Sequence, residues 1–276
     1  MSNLIQQTSL LLQNTYNRIT STFSDGITLI RKNARPFTIL QAGYWSSTLI
    51  AAVLVYKYPH LQEAAWAATN KDLERYEVGR QVSKVYADGH IFKATLWTVG
   101  INVLVGAFGT ITLPALGIPF SGIAMSMYRA FMWGLLFSPA IKHDQVTAPH
   151  VVTMLVEGQA YILAALGDWL LAKRFISQFD FASKGRVSGE EKKNAKTINE
   201  KEKEKEKEKE KELVNEDVID KQGATKKKNS WISWPGYIDG LKENLVLYAP
   251  ITGVLMIAAI WEAYEVINLK NGFLRW

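Results

Sequence analysis

The sequence predicts an all-α, polytopic membrane protein, a helix bundle of about five transmembrane helices with a disordered Lys/Glu-rich insert. Three observations carry this expectation. Several predominantly apolar stretches rich in Trp, Phe and Tyr reach the roughly 20 residues needed to cross a ~30 Å hydrocarbon core. Prolines stand at the edges of the first four of these stretches, where a helix tolerates them. Charge is segregated: residues 173–244 hold most of it, around the run KEKEKEKEKEKE. A lipid-facing barrel is excluded, because its strands are about ten residues long and alternate in polarity.

Residues 1–36 carry Ile5, Leu12, Tyr16, Ile19 and Phe23 at helical spacing, which predicts a short amphipathic helix lying on the membrane surface or against the bundle. The first span is Phe37 to Tyr58, opened by Pro36 and followed by Pro59. Residues 59–90 predict one or two helices outside the cytoplasm, with Leu73, Tyr76, Arg80 and Lys84 spaced for a surface-lying helix. The second span, Ile91 to Leu113, ends at Pro114, and TLPALGIPFSG predicts a tight turn into the third, from about Ile118 to Phe137 between Pro119 and Pro139. The fourth follows Pro149, from His150 to Ala172, which completes transmembrane helices 1–4 over residues 37–172.

Residues 173–244 then form a charged low-complexity linker. Strict Lys–Glu alternation sets like charges at i,i+4 and leaves nothing apolar to bury, so the run is expected to be disordered or a solvated helix. Its charges nearly cancel and no aromatics interleave, which argues against nucleic acid as a partner. Trp231, Trp234 and Tyr237 return the chain to the interface, where amphipathic rings settle. Residues 245–276 supply the fifth span, Leu245 to Asn268, and a short tail. With five spans, Arg31, Lys32 and Arg35 share a side with Lys173 and Arg174, so the N-terminus and the linker are expected to be cytoplasmic. Lys71, Arg75, Arg80 and Lys84 on the other side weaken that bias.

The chain has no cysteine, which removes disulfides, thiolate metal sites and a thiol nucleophile. Its four histidines, His60, His90, His143 and His150, are scattered, and no GxSxG or Gly-rich phosphate loop occurs. No catalytic, cofactor or metal site is expected. The chemistry-bearing residues are those set inside apolar runs: Asn102, Arg129, Glu157 and Glu262.

Helical spacing groups them with small residues. Thr95, Asn102, Gly106 and Gly109 share a face of the second span; Gly122, Met125, Arg129 and Trp133 share one of the third. Glu157, Ala160, Tyr161, Ala164 and Asp168 line up on the fourth, and Leu255, Ala258, Glu262 and Glu265 on the fifth. Gly106, Gly122, Ala160, Ala164 and Ala258 are expected to let helices approach closely. A lone charge at mid-bilayer costs at least about 2.5–3.5 kcal/mol, so Asn102, Arg129, Glu157 and Glu262 are expected to meet as an intramembrane polar network. Asp168, near the cytoplasmic end, is expected to face headgroups or water.

These stripes resemble the stage II sporulation protein M family. Glu157, Ala160, Ala164 and Gly167 are similar to that family's glutamate followed by spaced alanines and a glycine. In LMIAAIWEAYEV, Ala258, Ala259, Glu262, Ala263 and Tyr264 match its last helix, Asn102 its mid-helix asparagine, and Ser121–Gly122 its Asn–Gly step. Thr153 stands where the family usually has a histidine, and the Lys–Glu insert is atypical. The resemblance implies an integral membrane scaffold of about five spans that recruits partners and performs no hydrolysis itself. The expected function is thus a non-enzymatic membrane scaffold or interaction protein organising a membrane-associated complex. Its expected partners are the lipid bilayer, membrane or cell-envelope proteins and, in a homo-oligomer, a second copy of itself. The alternative is a small channel or secondary transporter that uses the buried Arg and Glu residues as an ion or proton path.

Overall fold

The computed structural model describes residues 2–139, 147–176 and 234–270, and every regular element among them is a helix. The expected disorder of the Lys–Glu run, the terminal tail beyond residue 270, and His143 lie outside the described residues. The chain order is α1 Ser2–Lys32, α2 Ala34–Lys57, α3 His60–Arg75, α4 Glu77–Ala87 and α5 Ile91–Ile101. A π-helical segment, Asn102–Thr112, continues α5 and runs into α6, Leu113–Gly117. Then come α7 Ser121–Leu136, α8 Thr147–Phe175 and a last helix, α9, Trp234–Lys270.

Among the described residues, four helical stretches are long and apolar enough to cross a membrane: Ala34–Lys57, Ile91–Gly117, Val151–Phe175 and Trp234–Asn268. Four are fewer than the five expected, because the third, α7, falls short of that length. The third expected span is a helix of 16 residues, about 24 Å at 1.5 Å per residue. Proline explains the shortening. Pro119 holds the residue before it out of helical geometry: Ile118 is extended (φ −125°, ψ 108°), and Phe120 then turns left-handed (φ 66°) before α7 can begin. The linker boundary also moves, because α9 begins at Trp234, with Pro235 tolerated in its first turn.

The bundle is built around α8. Residues Ala160 through Asp168 are all buried, which fits a helix apolar on every face. One end is tied by Arg174 of α8, which lies 2.7 Å from Glu243 of α9. At the other end, α3 closes the terminus of α7. Gln62 Nε2 donates to the Leu136 and Ser138 carbonyls at 2.8 and 3.1 Å, and Trp66 Nε1 to Leu136 at 3.1 Å. Those are acceptors that a helix end otherwise leaves unpaired. α4 follows, with Val85 packed among Ala94, Ala263 and Ile267 of α5 and α9.

Close approach is achieved through small residues. On α7 the buried face is Gly122, Ser126, Ala130 and Gly134, one small residue per turn. This corrects the expected stripe, since Met125 is exposed. A methyl group on Gly122 would lie 2.5 Å from the Ile111 carbonyl oxygen. α1 is longer than expected, 31 residues. It packs on α9 where Gly26 meets the Pro250 ring and Phe23 meets Gly253, while Tyr16 and Ile19 stay exposed.

Asp168 is fully buried and does not face water or headgroups, a second correction. Its Oδ2 accepts the Ile123 N–H at 2.8 Å, and the Phe120 and Gly122 N–H groups also point to it. A carboxylate at a helix N-terminus satisfies orphan donors and complements the helix dipole. Asp168→Ala leaves these donors buried without an acceptor and is expected to cost about 2 kcal/mol. Asp168→Asn retains one carbonyl acceptor and should lose less. Thermal melts in neutral detergent check this order; equal melting of both variants and the parent would refute the capping role.

Candidate functional site

Arg129 projects from α7 toward α8. Its Nη2 donates to the Tyr161 hydroxyl at 2.7 Å and lies 3.5 Å from Glu157 Oε1. The Tyr161 hydroxyl donates to the same Glu157 oxygen, so one turn of α8 presents both the acid and the phenol that bridges it to the cation. The guanidinium also sits over the Tyr161 ring, 4.0 Å from its centroid, and 5.7 Å from that of Trp133. Tyr44 of α2 meets Trp133 edge-on at 6.5 Å. Aromatic faces attract a cation through their quadrupole, so this box lowers the cost of holding Arg129 inside the bundle. Gly106 makes room: a methyl group there would stand 2.8 Å from the Tyr161 hydroxyl.

On the far side of Glu157 a cavity of about 610 Å³ opens under α3 and α4. Glu157, Glu262 and Asn102 line it together with Thr98, Tyr76 and Val82. Glu157 is 7% exposed, and both of its hydrogen bonds go to Oε1. Among the described residues Oε2 has no hydrogen-bond partner, and neither has the Asn102 side chain. Tyr86 of α4 sits 2.8 Å from the Thr98 hydroxyl and interacts with the Glu262 carboxylate. Burial pushes the Tyr86 phenol well above its usual range, and the Glu262 charge pushes it further. Tyr86 therefore remains a protonated donor at neutral pH.

The structure thus brings Arg129 and Glu157 into contact, and places Asn102 and Glu262 with Glu157 around one cavity, without a direct bond from either to Arg129 among the described residues. Ala160, Ala164 and Ala258 are buried in the α8–α9 core, and Gly106 and Gly122 sit under Tyr161 and Ile111. Sequence reasoning missed Tyr161 as the bridge, Tyr44 and Trp133 as the aromatic wall, and Tyr86 as the partner of Glu262. It also missed the Gln41–Gln159 amide pair between α2 and α8. Tyr161 follows Glu157 by four residues, so its place on the same face was readable. The π-helical segment had no such signal. Wide π turns inside helices are frequent at functional sites, and this one carries Asn102 to the cavity wall.

No family model, curated protein or solved structure matches the chain.

Proposed function

We propose that the chain is an integral membrane scaffold, without enzymatic activity, that organises a membrane-associated complex. The observation that carries this reading is the Arg129–Tyr161–Glu157 contact, in which a partly buried cation meets its buried acid beside an aromatic box. A pair held this way selects one packing of α7 against α8 more than it adds net stability, which suits a rigid platform. The resemblance of the Glu157 and Glu262 stripes to the stage II sporulation protein M family points the same way. In this reading α7 counts as a fifth, short crossing, running from Asp168 at its start to Gln62 at its end, so the N-terminus and linker share the cytoplasmic side, as the Lys/Arg balance favours, and partners engage the exposed apolar surfaces of α1 and α2.

A second reading, a small channel or carrier, draws on the cavity that reaches Glu157 and Glu262. Purified full-length protein in liposomes separates the two. The scaffold reading expects no proton or ion flux above empty vesicles. Photo-crosslinkers at Ile19 on α1 and Val53 on α2, both exposed, should capture an overlapping, reproducible set of membrane proteins in cells that express the chain. Flux that disappears in folded Glu262→Gln protein would overturn the scaffold reading and install the carrier.

A further inference from the structure

We propose that the cavity beneath α3 and α4 binds a singly charged cationic amphiphile, a long-chain amine or quaternary ammonium. Its charged end would lie between Glu157 and Glu262, and its alkyl tail along the outer face of the second span. The inference goes beyond a scaffold role and does not depend on it.

The charge of the occupant follows from the polar groups. Two carboxylates and one amide converge on the cavity, and no Lys or Arg lines it. Arg129 stands behind Glu157, on Oε1, leaving Oε2 without a partner among the described residues although its side chain is more than nine-tenths buried. Oε2 opens onto the cavity, where it can accept a hydrogen bond or face a counter-charge. An ammonium group supplies the missing donor or, when quaternary, the missing counter-charge. Asn102 offers a carbonyl acceptor beside it.

The tail follows from the walls. The cavity, at about 610 Å³, falls in the range of sites for small organic ligands. It adjoins a second, apolar cleft of about 360 Å³, with which it shares Val78, Ile101 and Val105. That cleft runs over Leu96, Trp97, Gly100 and Leu104, and Leu96 and Leu104 are exposed on a helix apolar enough to span a membrane. The occupant therefore enters from the lipid. A zwitterionic phospholipid fits poorly, because no cationic side chain lines either cavity to receive its phosphate.

Trp97, inside the apolar cleft, provides the readout. Purified full-length protein in nanodiscs is titrated with 11-bromoundecyl-trimethylammonium, whose terminal bromine quenches nearby indoles, and in parallel with 11-bromoundecanol and 11-bromoundecanoate. The difference between parent and Trp97→Phe protein isolates quenching in the cleft. We expect saturable quenching by the cation, at least about tenfold tighter than by the alcohol and absent with the carboxylate, with Glu262→Gln weakening it about tenfold (~1.4 kcal/mol). Val82→Phe fills the cavity without touching a carboxylate and should abolish binding. It keeps the test decisive if Glu262→Gln is not monodisperse by size exclusion. Equal quenching by cation and alcohol, an unchanged titration in folded Glu262→Gln or Val82→Phe protein, or displacement of the cation by an ethanolamine phospholipid would overturn the proposal.

Discussion

Glu157→Leu is expected to destabilise the protein more than Arg129→Leu, although the two residues form one ion pair. The asymmetry comes from what each deletion strands. Without Glu157, Arg129 remains charged, since a guanidinium does not give up its proton in proteins. It then has only the Tyr161 hydroxyl and the faces of Tyr161 and Trp133 to hold it. Breaking a buried pair this way costs about 3–5 kcal/mol. Without Arg129, Glu157 can take up a proton and keep its bond with Tyr161, which limits the loss to about 1–3 kcal/mol. Combining both leucines removes the stranded charge, so the double variant should be more stable than Glu157→Leu alone. The coupling is read from a double-mutant cycle of thermal melts in neutral detergent, with size exclusion to confirm a folded species. Additive losses, or a larger loss for Arg129→Leu, would show that the pair does not organise α7 on α8.

The parts of this fold that follow from local chemistry were legible in the sequence. Apolar runs of sufficient length announce the four candidate spans because lipid and core make the same demand on side chains. The third run makes a shorter helix for a reason also present in the sequence. Pro119 costs α7 its first turn, and counting apolar residues from Ile118 ignored that. Spacing placed Glu157, Ala160, Tyr161 and Ala164 together correctly because α8 is regular. On the second span the π-helical segment changes the residues per turn after Asn102, so an α-helical period no longer tracks one face there. Asp168 was misjudged because its partner, the Ile123 N–H, lies 45 residues away in sequence. Depth along a helix says nothing of a cap supplied by another element. The cavity was illegible for the same reason, since its walls come from α3, α4, α5, α8 and α9.

The polar groups fall on two sides of Glu157. Arg129, Tyr161 and the aromatic box face α2 and α7, where every contact is close. Asn102, Glu262 and the unpartnered Glu157 oxygen face α3 and α4, where the packing leaves space. Glu157 belongs to both. Under the proposed binding, a ligand on Oε2 would share one carboxylate with the bonds that Arg129 and Tyr161 make to Oε1, which would link occupancy of the cavity to the packing of α7 on α8.

Gly134→Leu is expected to have the other large effect, because no side chain can yield at that contact. A methyl group on Gly134 would lie 2.1 Å from the Thr48 carbonyl oxygen and 2.7 Å from the Ala51 Cβ, both on α2. Thr48 belongs to the helix backbone, so relief requires moving α2 bodily away from α7. That would break the Ser47 hydroxyl bond to the Met127 carbonyl, 3.0 Å long, and pull Tyr44 from Trp133. Overpacking a core costs about 1–3 kcal/mol where side chains can adjust. Here the loss should exceed the upper end of that range, and a monodisperse species should not survive extraction. Gly134→Ala should behave as a milder version of the same change. Gly100→Ala supplies the control. Nothing lies within 4 Å of a methyl group at Gly100 in the apolar helix α5, so alanine there should stabilise by about 0.5–1 kcal/mol through backbone entropy alone. Similar melting of Gly134→Leu and Gly100→Ala would show that α2 and α7 do not touch at this point, and the short α7 would then lack its closest support.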